Sequence, residues 1–312
     1  MTTYPPLAPD AAALIEAFRA AGSPSFHTLE LETARTNYRA SCAKNGIPAE
    51  QMAQVRDFDL GDFSVRLYVP GEVAGPTPVI LFFHGGCWGI GDLDTHDGLC
   101  RALAADAGIP LVAVDYRLAP EHLYPAGHDD CRAALAWLTG SSEHGLTVSG
   151  VVLAGDSAGG HLAAVLAREN TAAATPVLAQ ILLYPVLDLT MSSDSYQRVT
   201  EGYPLVAETM RHFTVAYVPE DYDLASPELS PALAEVPQGL APAYIVTVGH
   251  DPLADEGIDY AAKLARAGIE ANNHHLPGYA HGLFTSAGIL PAGRDEIRAA
   301  AAFIRERAYA SH

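Results

Sequence analysis

The sequence predicts an α/β fold: a mostly parallel sheet with helices on both faces. Three observations carry that expectation. Apolar runs of strand length alternate with helical patterns along most of the chain, as repeated βαβ units do. The runs ("TPVILFFHGG", "GIPLVAVDY", "VSGVVLAGDS", "PVLAQILLYP", "APAYIVTVGHD") are continuous rather than alternating, the mark of strands buried on both faces. A glycine–serine–glycine signature, Gly155-Asp156-Ser157-Ala158-Gly159, sits where a predicted strand meets a predicted helix.

Taken in order, residues 10–21 and about 28–45 carry alanine-rich, apolar-periodic patterns that read as two helices. "VRDFDLGDFSVRLYVPG" alternates on either side of Gly61 and Asp62, as a hairpin does. The five apolar strands follow, and "EANNHHLPG" is read as a further strand near the end of the chain. Helical patterns separate them at about 95–107, 128–139, 158–169, 254–267 and 292–309. One region breaks this rhythm. Between Tyr184 and Ala243 lie almost sixty residues rich in Pro, Tyr, Ser and Glu, with helix-like pieces and no obvious strand. A structureless loop of that length is improbable in a compact domain, so a helical insertion is expected.

Composition narrows the function classes. The 312 residues fit about two domains, or one large core with an elaboration. Hydrophobic residues make up 49% and charged residues 18%, enough for a buried core. Net charge is −19, with 37 Asp+Glu against 18 Lys+Arg, which repels polyphosphate and disfavours nucleic-acid binding. The opening "MTTYPPLAPDAAALIEAF" lacks a basic segment followed by an unbroken apolar run, so no secretory signal is expected. No stretch of about 18 apolar residues occurs, so no membrane span is expected. Cys42, Cys87, Cys100 and Cys131 are scattered without a CxxC pair, against disulfides and zinc and in favour of a reducing, cytoplasmic setting. Thirteen histidines show no metal-ligand spacing. The adjacent His274 and His275 would point to opposite faces of a strand, so no metal or other cofactor is expected there.

The serine signature has a steric logic. A serine on a tight strand-to-helix turn projects its hydroxyl from the sheet's carboxyl edge, and flanking glycines let strand and helix approach. A hydroxyl needs a base, and the base needs an orienting carboxylate. Asp251 follows the strand "APAYIVTVGH", 94 residues after Ser157. His281 follows the next strand, 30 residues later. Both candidates therefore emerge at the sheet edge that carries Ser157, in the order Ser, Asp, His. Together they make a candidate catalytic triad.

The blocks "HGGCWGIGD", "VDYRLAPEHLYPAG", "GDSAGGHLAA", "YPVLDLT", "DPLADEG" and "YAHGLF" closely resemble those of bacterial hormone-sensitive-lipase-like esterases, in the family's order from about residue 55 to 285. The resemblance implies an α/β-hydrolase core of eight strands and a cap built from the N-terminal helices and the long insertion. The corresponding segments are 1–50 for the N-terminal cap helices, 51–188 and 236–312 for the core, and 189–235 for the cap insertion. It implies Ser157 as nucleophile, His281 as general base and acid, and Asp251 as its orienting partner. Backbone N–H groups of Gly85, Gly86, Cys87 and Ala158 would form the oxyanion hole. The implied substrate is a small ester with short- to medium-chain acyl or aryl groups, and the resemblance allows a homodimer.

Supporting roles are assigned to His84 (fixing its loop) and to Asp156 and Glu256 (holding the elbow and the Asp251 loop). Tyr116 to His122 reads as a rigid turn, with Pro120 fixing φ. Trp88, Asp156, Tyr184, Tyr203 and Phe213 are candidate pocket residues, with Tyr196 and Tyr217 beside them. Competing functions are an amide, lactone or carbamate hydrolase on the same triad, as in arylformamidases whose "HGGxW" pattern this loop satisfies, and a ligand-binding receptor of the same fold. The presence of His281 removes the receptors' usual signature. A cysteine hydrolase using Cys87 would lack a separate His/Asn pair. The family usually has a third glycine at position 87, so the expectation for Cys87 is φ < 0, with a thiol at or near the acyl pocket that narrows it and sensitises activity to bulky thiol reagents.

Overall fold

A computed structural model describes residues 5–22 and 24–309. Residues 1–4, 23 and 310–312 lie outside the described residues, and with them the first residues read for a secretory signal and the outer ends of the 1–50 and 236–312 segments. Eight strands form one sheet: β1 Gln54–Asp59, β2 Ser64–Val69, β3 Pro76–Phe83, β4 Leu111–Asp115, β5 Thr147–Asp156, β6 Val177–Leu183, β7 Ala243–His250 and β8 Ala271–Ala280. Their spatial order is β1-β2-β4-β3-β5-β6-β7-β8. The expected hairpin is present, with β1 antiparallel to β2. β2 is also antiparallel to β4, and every pairing from β4 through β8 is parallel. The carboxyl ends of β3, β5, β6, β7 and β8 therefore share one edge, and the chemistry-bearing loops all leave from it.

The continuous apolar runs arise because each central strand serves two cores. Val79, Leu81 and Phe83 pack on one face, against α4 (Ala126–Gly140), α5 (Ala158–Glu169) and α8 (Ala254–Arg266). Ile80 and Phe82 pack on the other, against α3 (Asp97–Ala107) and α9 (Pro291–Ala308). Side chains alternate along a strand, so both faces can be dry only if every position is apolar. Burial of this kind stabilises by about 25 cal/mol for each Å² of apolar surface removed from water. β8 lies at the sheet's edge, where Pro277 costs no central ladder bond.

The remaining helices lie beyond the catalytic edge. They are α1 (Pro9–Ala20), α2 (Leu31–Asn45), α6 (Ser195–Arg198) and α7 (Ala207–Tyr217). A short 3₁₀ turn, Phe26–Thr28, precedes α2, so the helix expected from about residue 28 starts at Leu31. The irregular region between β6 and β7 contains α6 and α7 and no strand, as its composition predicts. α7 roofs a third cluster that includes Trp88, Tyr124, Tyr196, Met210, Phe213 and Tyr217. Among the described residues no helix is long and apolar enough to cross a membrane.

Candidate active site

The turn at Ser157 is built by contact between backbones. Ser157 has φ 55° and ψ −118°, a conformation that L-residues rarely adopt. A side chain is excluded on both sides of it. A Cβ on Gly155 would lie 2.3 Å from the Gly159 carbonyl carbon, and one on Gly159 would lie 1.9 Å from the Phe83 carbonyl oxygen. The spacing of the two glycines thus reflects β3, β5 and α5 meeting at one point. Ser157 N–H donates to Leu183 O at 2.8 Å, fixing the turn to β6. The hydroxyl stands at the N-terminus of α5, where unpaired amides favour developing negative charge.

Asp251 and His281 follow β7 and β8 as expected. His281 Nδ1 donates to Asp251 Oδ2 at 2.7 Å, and Asp251 Oδ1 accepts from Leu253 N at 2.9 Å. Asp251 is fully buried, and the Tyr184 ring lies 4.2 Å from the imidazole, centroid to centroid. Ser157 and His281 line one cavity of about 450 Å³, together with Gly86, Cys87 and Tyr184.

The loop after β3 is held from several directions. Tyr116 Oη donates to His84 O at 2.7 Å, and the two rings stack at 4.3 Å. His84 Nδ1 donates to Gly85 O at 2.8 Å, and burial lowers its pKa to about 4, so it is a neutral fixing group. This agrees with the role expected for it. Gly85 N–H donates to Asp156 Oδ1 at 2.8 Å, which corrects one expectation: that amide is already committed and does not face an oxyanion. No hydrogen bond engages the N–H groups of Gly86, Cys87 or Ala158 among the described residues. Glu256 does tie loops together, but through Leu187 N, whose N–H it accepts at 2.7 Å. In the Tyr116–His122 turn, Asp130 takes both the backbone N–H and the guanidinium of Arg117, and the Ala119–Pro120 bond is cis.

Cys87 overturns its expectation. Its φ is +51°, not negative, because the loop continues left-handed through Trp88 at φ +57°. A glycine would sit there more comfortably. Cys87 does line the cavity, and its Sγ lies 3.9 Å from Met210 Sδ on α7. Burial, then the Asp251 charge, pushes the thiol's pKa up to about 12, so it is not a ready nucleophile.

The pocket residues divide. Tyr184 lines the cavity; Asp156 borders it with its carboxylate turned toward Gly85 and His96. Trp88, Tyr203 and Phe213 do not line it. Trp88 stacks face to face on Tyr217 at 4.6 Å. The Tyr203 hydroxyl pairs with His250 Nδ1 at 2.7 Å, and the Phe213 ring closes over Gly89. Tyr196 and Tyr217 are likewise core residues of the third cluster. The aromatic residues of the insertion hold α7 to the loops, whereas the cavity wall comes from the N-terminal helices. Leu14, Ile15 and Phe18 of α1 and Tyr38 of α2 line it, together with Phe26 and Leu205. Sequence reasoning missed these, although the helical spacing of Leu14, Ile15 and Phe18 was a usable signal. His274 and His275 diverge as expected, toward Glu296 and Thr247 respectively. No group of three or more His, Cys, Asp or Glu among the described residues is placed to hold a metal ion.

Known proteins resemble this chain over most of its length. Residues 80–285 match the family model described as the alpha/beta hydrolase fold. The chain is 41% identical over 285 residues to the carboxylic ester hydrolase LipN of Mycobacterium tuberculosis, covering 86% of this chain and 75% of the relative. It is 37% identical over 301 residues to the ethyl acetate hydrolase of Pseudomonas putida, covering 91% and 94%. An ester-hydrolase from the metagenome of Lake Arreo, solved in complex with a bipyridine phosphonate derivative, superposes with a TM-score of 0.90 at 36% identity, over 96% of this chain and 98% of that one. The chain belongs to the alpha/beta hydrolase fold family, among its bacterial hormone-sensitive-lipase-like members, and is a carboxylic ester hydrolase.

Proposed function

We propose that this chain is a serine carboxylesterase working through Ser157, His281 and Asp251. The observation that carries the reading is the 2.7 Å bond from His281 Nδ1 to buried Asp251, with Ser157 and His281 on one cavity. An ionised carboxylate can only accept, so it holds the Nδ1–H tautomer and leaves Nε2 as the base. His281 takes the Ser157 proton as Oγ attacks the ester carbonyl. The oxyanion forms against the free amides of Gly86, Cys87 and Ala158, where a single lost donor typically costs about 3–4 kcal/mol of transition-state stabilisation. His281 then protonates the leaving alcohol, and water repeats the cycle to release the acid. Cys87 has no part in bond making: its thiol stays protonated, and the serine constellation is complete without it.

The cavity of about 450 Å³, walled by aliphatic and aromatic side chains, suits short- to medium-chain acyl or aryl esters. Residues 1–50 and 189–235 are read as the cap over that cavity and 51–188 with 236–312 as the core. Four free, buried cysteines accord with residence in the cytoplasm. The test is Ser157→Ala with a fluorophosphonate label. The parent should label at Ser157 and hydrolyse p-nitrophenyl butyrate faster than N-formylkynurenine. Appreciable turnover by the alanine variant, or faster cleavage of the amide, would sink the assignment.

A further inference from the structure

Beyond the triad lies a buried polar chain that takes no part in the mechanism above: His96, Asp156 and Gly85. We propose that His96 is a positioning residue for ester hydrolysis, holding the Asp156 carboxylate so that it sets the oxyanion loop in register with the nucleophile turn. The inference rests on the serine-esterase reading given above.

His96 is 1% exposed, immediately before α3, and does not itself line the cavity, although its partner Asp156 does. Its Nε2 lies 3.1 Å from Asp156 Oδ1 and 3.3 Å from Oδ2. The same carboxylate accepts the Gly85 N–H at 2.8 Å. Asp156 precedes Ser157 in the chain, and Gly85 precedes Gly86 and Cys87. One carboxylate therefore joins the strand end that carries the nucleophile to the loop that carries two of the three free amides. The fit is tight, since a Cβ on Gly85 would lie 2.4 Å from Asp156 Oδ2. A shift of the carboxylate would move the loop with it.

His96 is held at both ring nitrogens. Nε2 faces a carboxylate, which can only accept, so Nε2 carries a proton and donates to Asp156. Nδ1 lies 2.9 Å from Thr95 Oγ1, which in turn accepts from Asp92 N at 2.9 Å and lies 2.7 Å from Asp92 O. The rings of Phe82, His84 and Tyr38 lie 6.1, 5.6 and 6.3 Å from the imidazole.

That donor has a purpose beside an oxyanion. Burial alone would push the Asp156 carboxyl up, but His96 and the Gly85 amide outweigh it and hold the carboxyl below its ordinary range. An uncompensated buried carboxylate one residue from Ser157 would oppose the negative charge that develops on the substrate. Held by the His96 N–H and the Gly85 amide it is compensated, and it keeps the acceptor that orients Gly85. The interaction matters most in the transition state, so its loss belongs in kcat rather than KM.

The experiment compares His96→Leu, which removes the donor, with His96→Gln, which keeps a donor at reach. Steady-state kinetics on p-nitrophenyl butyrate are read together with fluorophosphonate labelling of Ser157. In His96→Leu, kcat should fall about 10- to 100-fold with KM within about threefold, the scale of a displaced catalytic group. His96→Gln should recover part of kcat, and it serves alone if the leucine variant does not fold. In the parent, ¹⁵N spectra of the histidine rings, assigned by loss of a signal in His96→Gln, should show a protonated His96 Nε2. Parent-like kcat in the leucine variant, no more rescue by glutamine than by leucine, a change confined to KM, or an unprotonated Nε2 would each overturn the proposal. Failure of the parent itself to label at Ser157 would instead overturn the esterase mechanism beneath it.

Discussion

Replacing Cys87 with glycine tests how a side chain came to occupy a position whose backbone favours glycine. The native φ of +51° costs a non-glycine residue about 1–2 kcal/mol, which glycine would recover. Against this, two buried heavy atoms and their packing on Met210 are lost, worth about 1.5 kcal/mol at ~0.8 kcal/mol for each methylene-sized group. Glycine also gives the unfolded chain more freedom, a further loss of about 0.4–1 kcal/mol. The terms nearly cancel. Cys87→Gly should change stability by no more than about 1 kcal/mol, or roughly 2 °C in Tm for a chain of this size. The backbone amide is untouched, so kcat on p-nitrophenyl acetate should stay within about threefold of the parent. The emptied space adjoins the cavity, so preference should move toward longer acyl chains. Each further methylene buried there is worth about 0.8 kcal/mol, roughly fourfold in kcat/KM. The assay is a thermal melt with a C2 to C10 p-nitrophenyl ester series. A 100-fold loss on the acetate ester, or an unchanged chain-length profile, would refute the assignment of Cys87 as an amide donor whose side chain trims the pocket.

Three further outcomes are expected. Because burial pushes the Cys87 thiol up to about 12, brief treatment with iodoacetamide at pH 7 should leave activity intact, contrary to the sensitivity the sequence suggested; rapid inactivation blocked by substrate would contradict this. Burial raises the Glu256 carboxyl well above its ordinary 4.5, so its folded state holds a proton that the unfolded chain releases; stability from this group is complete below about pH 4.5 and is lost as pH rises toward the folded pKa. Glu256→Gln removes that dependence while retaining an acceptor for Leu187 N, so its Tm should gain on the parent's between pH 5 and 9; parallel curves would argue against a protonated Glu256. Gly159→Ala drives a Cβ to 1.9 Å from Phe83 O, a backbone atom with little room to yield, so it should lower Tm by several degrees and abolish Ser157 labelling; a parent-like melt would show that the turn is looser than its geometry states.

The sequence by itself determined what depends on local periodicity and on chain order. Double-faced burial writes itself into Val79 to Phe83 as an unbroken apolar run, so the parallel sheet was legible. The steric needs of a tight turn write Gly155 and Gly159 around Ser157, and parallel strands bring whatever follows them to one edge, which places Asp251 and His281 there. Tertiary structure alone decided the rest. Whether an aromatic residue faces substrate or core depends on what distant segment meets it: Trp88 was taken up by Tyr217 of α7, Phe213 of α7 closed over Gly89, and the cavity fell to Leu14, Phe18 and Tyr38. Whether the Gly85 amide is free depends on Asp156, 71 residues away, and whether Asp156 keeps its charge depends on His96, another 60 residues removed. The backbone at Cys87 turned left-handed although no glycine marks it, because the loop is pinned at His84 by Tyr116 and at Gly85 by Asp156, and contacts between distant segments set its path. Local sequence records what a residue prefers; which neighbours meet it across the fold determines what it is made to do.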